Sequence, residues 1–142
     1  MLLRSGIRVG KLFGIRIMLD WSLIVIFLLV AMSLGAGAFP AWHPDWSPLT
    51  VWSVALVATA LFFVSILLHE LSHALVAKAF GIPVNRITLF LFGGVANIEQ
   101  DPDSPKKEAL IAAVGPATSI ALGIGFMILA ARRTAPATVA VD

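Results

Sequence analysis

The 142-residue sequence contains no cysteine and no tyrosine, and only 13% of its residues are charged. Without thiols, disulfides and thiolate metal sites are excluded, and nothing can be inferred about redox compartment. The shortage of charge excludes more. Soluble domains carry about 25% charged residues, so most of this surface must face something other than water. A net charge of +2 from scattered basic residues argues against a nucleic-acid partner. What is present instead is 59% hydrophobic residues and a mean hydropathy of +0.96. The lipid bilayer is the solvent that suits them.

The apolar residues fall into three long runs. Residues 19–39 are almost purely apolar and long enough for a hydrocarbon core of about 30 Å. A second span covers 49–80 and is stopped by Gly81 and Pro83. The third covers 106–131, with Ser104 as candidate N-cap and Pro105 at the first helical position. Between the first two, Pro40, Pro44 and Pro48 argue for an irregular loop, with Trp42 and Trp46 at headgroup level and a solvated His43. Trp21 and Trp52 read as further interfacial aromatics.

Shorter patterns have period two. Residues 1–18 alternate around Ile7/Val9 and Ile15/Ile17, which predicts a β-hairpin at the membrane surface with its turn around Lys11. Residues 84–100 are β-branched and aromatic around Gly93-Gly94, which predicts two extended segments joined or kinked there. The tail, 132–142, reads as disordered. The expected fold class is therefore an all-α membrane protein, three transmembrane helices with a small β-hairpin or edge-strand element on the cytoplasmic side. A cleaved leader is not expected, because the apolar run of about 20 residues exceeds a signal-peptide core of about 7–15 and begins too late.

Positive charge orients the chain. Arg4, Arg8, Lys11 and Arg16 precede the first span, the loop between spans one and two has no Lys or Arg, and Lys78, Arg86, Lys106 and Lys107 lie between spans two and three. The N-terminus and the β-rich 81–105 segment are expected to be cytoplasmic in a multi-pass protein of the cell membrane. Arg132-Arg133 then falls on the opposite side.

One stretch carries chemistry: His69-Glu70-Leu71-Ser72-His73. Helical residues four apart differ by about 40° around the axis and one turn along it, so both imidazoles can reach one metal ion. Glu70, about 100° from His69, lies beside that ion without serving as a ligand, placed to move protons between water and a leaving amine. Zinc is the default metal for imidazole nitrogens. Ionisable residues in a spanning helix cost about 2.5–3.5 kcal/mol each on insertion scales and mark function by default. Three of them in five positions, with Ala74-Leu75-Val76-Ala77 apolar directly behind, outweigh the reading of ordinary interface residues.

These residues resemble the site-2 protease family of intramembrane zinc metalloproteases, in its prokaryotic branch. The resemblance rests on the His-Glu-Leu-Ser-His motif in the second span, Phe92-Gly93-Gly94-Val95-Ala96, and the run from Glu108 to Gly115-Pro116. It implies a peptidase that cuts the transmembrane segment of a membrane-bound substrate, such as an anti-sigma factor or another regulator. Further implied are zinc held by His69, His73 and a later aspartate, Glu70 as general base and acid, and Phe92, Gly93, Gly94 and Val95 as a β-loop that binds substrate as an added strand.

One departure stands out. The family's third ligand belongs to an Asp-Gly pair, and this sequence has none. The chain is therefore expected to be the front part of a longer enzyme, with an incomplete zinc site by itself. The alternative is an incompetent fragment or pseudoprotease that holds client helices. Of the remaining candidates, Gly115-Pro116 reads as a kink or close-packing point, Glu99 as a solvated strand end, and Thr118 and Ser119 as residues without an assigned role.

Overall fold

The computed structural model describes residues 6–98 and 100–134. Two strands open the chain, β1 (Gly6–Leu12) and β2 (Ile15–Asp20), followed by α1 (Ser22–Met32), a π-helical segment Ser33–Ala38 and α2 (Phe39–Trp42). A 32-residue helix, α3 (Pro48–Ala79), leads into β3 (Val84–Phe90), β4 (Gly93–Ile98) and α4 (Pro105–Thr134). Three helices, Ser22–Trp42, Pro48–Ala79 and Pro105–Thr134, are long and apolar enough to cross a membrane.

The hairpin turns at Phe13-Gly14 rather than at Lys11, which lies inside β1 opposite Arg16. Phe13 and Gly14 have φ of 50° and 81°, and glycine takes that left-handed conformation without a Cβ penalty. Leu19 and Asp20, read from sequence as the start of the first span, belong to β2. At the other end that span runs on through Pro40 to Trp42, where an irregular loop was expected. A proline in a helix loses one backbone bond and crowds the carbonyl four residues earlier. The wider π turn directly before Pro40 absorbs that crowding. Past it, His43 stacks on Trp46 at 4.1 Å between ring centroids.

Ser47 caps α3, its hydroxyl accepting from Thr50 N at 3.2 Å, with Pro48 in the first turn. Arg132 and Arg133 are still helical, so α4 outlasts the predicted third span. Residues 135–142, where a disordered tail was expected, and Glu99 lie outside the described residues.

The strands form one sheet in the order β1-β2-β3-β4. β1/β2 and β3/β4 are antiparallel hairpins, and β2 and β3 join them in parallel. One sheet face is buried through Ile15, Ile17, Val84, Ile87 and Leu89, packed against Leu71, Ala74 and Ala77 of α3. Ala74 and Ala77 are fully buried, and their small side chains let the strands approach the helix closely. The sheet thus packs on α3 at the end of the turn that carries the His-Glu motif and on the turn after it. Higher up, Gly35 meets the Trp52 ring, and Phe27 packs on Phe63 at 5.7 Å, which ties α1 to α3.

Candidate metal centre

His69 and His73 leave α3 on the side that faces α4. Their Nε2 atoms stand 3.2 Å apart, with the rings nearly perpendicular at 76°. Each ring is held from behind. His73 Nδ1 lies 2.6 Å from the backbone carbonyl of Ile111. A carbonyl only accepts, so Nδ1 carries the proton and Nε2 presents its lone pair. His69 Nδ1 lies 2.8 Å from the Ser119 hydroxyl. Two imidazole nitrogens about 2.0–2.1 Å from one tetrahedral zinc stand about 3.3 Å apart, so the observed separation suits a shared metal ion. The donor set fits zinc as two of its ligands. No group of three or more His, Cys, Asp or Glu side chains comes together among the described residues.

Ile111, Gly115 and Ser119 are spaced by four along α4 and share one face of it. At Gly115 an added Cβ would overlap Nε2 and Cε1 of His73 and would come within 2.7 Å of His69 Nε2. The space between α4 and the imidazoles exists because residue 115 has no side chain. Pro116 follows inside the continuous helix. In the sequence alone Gly115 reads as a packing point and Ser119 has no assigned role. The available signal was this four-residue spacing of a small and a polar residue in an apolar helix.

Glu70 faces the opposite partner, the β3–β4 hairpin. A Cβ at Gly94 would overlap Glu70 Cγ, so the glycine backbone is what lets β4 lie against the carboxylate. An open cleft of about 490 Å³ joins these parts, lined among others by His69, Glu70, Ser119, Gly93, Gly94 and Phe92. Phe92, at the hairpin turn, is 87% exposed, and Val95 is half exposed on the sheet's outer face, away from Glu70. Of the four β-loop candidates, Phe92, Gly93 and Gly94 border the cleft and Val95 does not. The turn is fixed to the start of α1, where the Ser22 hydroxyl accepts from Leu91 N at 3.0 Å. Just before it, Asp20 accepts from Ser22 N at 2.9 Å. Hydrogen bonding from Ser22, by side chain and then backbone, holds the Asp20 carboxyl below the ordinary aspartate range.

The family model of peptidase family M50 matches residues 57–135, from the middle of α3 through α4. The chain belongs to this family. Among curated relatives, it is 42% identical over 127 residues to sll0528 of Synechocystis sp., which carries a zinc-metalloprotease name, covering 89% of this chain and 33% of that protein. It is 34% identical over 124 residues to zinc metalloprotease MJ0392 of Methanocaldococcus jannaschii, covering 87% of this chain and 32% of the relative. The chain spans about one third of the length of the curated relatives it matches. The solved site-2 protease from Methanocaldococcus jannaschii superposes with a TM-score of 0.61 at 31% identity, over 88% of this chain and 51% of that one. The described residues, three apolar helices with a four-stranded sheet at one end, are therefore those of a multi-pass membrane protein.

Proposed function

We infer that this chain carries the histidine pair and the acid–base residue of an intramembrane zinc metalloprotease. The observation that supports this reading most directly is the convergence of the His69 and His73 Nε2 atoms at 3.2 Å within a membrane-spanning helix. In this reading His69 and His73 hold the metal through Nε2, with Ile111 O and Ser119 setting the ring orientations. Bound zinc supplies Lewis acidity and brings the pKa of water down to about 7. The Glu70 carboxylate takes the proton from the attacking water and returns it to the departing amine. A third protein ligand comes from outside the described residues.

The substrate is the transmembrane segment of a membrane-bound protein, an anti-sigma factor or comparable regulator. A peptide bond closed inside a helix is shielded from attack, so the segment must be extended first. β4 is an edge strand of the sheet, and Gly93-Gly94 bring its backbone beside Glu70. A substrate strand added there is bound through main-chain hydrogen bonds and delivered to the carboxylate. The sheet side is cytoplasmic, following the distribution of basic residues.

Elemental analysis of the detergent-purified protein tests the reading. The expected result is bound zinc that is lost in both His69→Ala and His73→Ala and kept in Glu70→Gln, which no longer cleaves a membrane-spanning reporter. Zinc retained after both histidines are removed would overturn the assignment. No zinc in the parent chain would favour the second reading, a helix-binding scaffold, which the two-ligand donor set supports.

A further inference from the structure

The outer face of the sheet carries a basic surface that the proposed chemistry does not use. Arg16 stands directly opposite Lys11 on β1 and level with Arg86 on β3. Residues in register on neighbouring strands project from the same face, about 4.8 Å apart. Lys11, Arg16 and Arg86 therefore form a row of three exposed cations across three strands, opposite the buried Ile15, Ile17 and Ile87. Arg8, opposite Met18, adds a fourth cation to the same face one row along.

Like charges directly opposite in a sheet are destabilising. Among the described residues none of the four forms an ion pair, and the single ion pair there, Lys107 to Asp103, lies elsewhere. Orientation of the chain by positive charge needs only a count of basic residues on one side. It does not need them stacked in register, so the stacking calls for an anion.

Position identifies the anion. The sheet lies at the end of the bundle where α1 begins at Ser22, α3 ends at Ala79 and α4 begins at Pro105. A helix of 32 residues is about 48 Å long, against a hydrocarbon core of about 30 Å. The end of α3 therefore reaches headgroup depth and carries the sheet with it. Lys78, in its last turn, donates to Phe13 O at 2.6 Å and pins the hairpin tip there. That tip is apolar, with Phe13 69% and Leu12 43% exposed, as suits an interface rather than open water. We propose that Arg8, Lys11, Arg16 and Arg86 form a docking surface for the phosphates of anionic lipid headgroups in the adjoining leaflet.

Thermal unfolding in lipid nanodiscs, followed by tryptophan fluorescence, provides the test. The midpoint is expected to rise when phosphatidylglycerol is added to phosphatidylcholine, and the rise should shrink at high salt. Arg16→Gln/Arg86→Gln should abolish the rise without lowering the midpoint in phosphatidylcholine, because a like-charge contact has been removed. Should that variant fail to fold, Lys11→Gln is expected to lose part of the rise. Arg132→Gln/Arg133→Gln, at the far end of α4, should keep all of it. An equal loss in both double variants would assign the effect to net charge and overturn the proposal. So would a wild type indifferent to phosphatidylglycerol, or one stabilised equally by soluble glycerol phosphate in phosphatidylcholine discs.

Discussion

Gly115 of α4 lies so close to His73 of α3 that a single added methyl would overlap the imidazole Nε2. The glycine is thus part of the metal centre although it contributes no donor atom. It sets the distance between the two helices at the level where the imidazoles converge.

Gly115→Ala is therefore expected to push both imidazoles from their present positions. Overpacking of this kind costs about 1–3 kcal/mol, and displaced nitrogens no longer converge on one ion. Thermal unfolding and zinc content, measured together, check this. Wild-type zinc binding with an unchanged midpoint would show that α4 yields easily.

Ser119 acts on His69 from the far side of the ring. Loss of an outer partner of a metal-ligating histidine typically lowers metal affinity about 10–100-fold. Ser119→Ala should fall in that range in a competition titration with a chromophoric chelator, with little change in stability. Equal affinities would mean that packing alone orients the ring.

Glu70 separates chemistry from binding. Removal of a positioned acid–base group typically lowers the rate about 10²–10⁴-fold. Glu70→Gln keeps the shape of the side chain and should lose cleavage by that order while retaining zinc. Parallel loss of metal would instead make Glu70 a ligand.

The Asp20 carboxylate, hydrogen-bonded by Ser22, is held below its ordinary value. A depressed folded-state pKa contributes stability that is present above the unfolded value of about 3.9 and is lost as pH falls through the folded one. Thermal unfolding followed from neutral pH down past that range should show a larger acid loss for wild type than for Asp20→Asn. Identical pH profiles would remove Asp20 from the junction of β2 and α1.

Close packing higher in the bundle is tested at Gly35, where a Cβ would come within 2.6 Å of the Trp52 ring. Gly35→Val is expected to lower stability by about 1–3 kcal/mol, seen as a lower unfolding midpoint with zinc content unaltered.

Much of this protein was legible without coordinates. The three spans follow from apolar length, because in a bilayer every backbone polar group must be satisfied within the segment. The pairing of His69 with His73 follows from helical period alone. Irregular boundaries were harder. Pro40 argued for a loop, but the π turn before it is a local adjustment that composition does not reveal.

Contacts between distant segments were decided only by tertiary structure. Parallel pairing of β2 with β3 joins strands separated by α1, α2 and α3, and nothing in either strand names its partner. That pairing lines up Arg16 with Arg86, 70 positions apart by their numbers. Gly94 against Glu70, Gly115 against His73 and Ser119 beside His69 are likewise meetings of separate elements. A sequence records periodicity and propensity within each segment. Which surfaces then meet depends on the close packing of all of them at once.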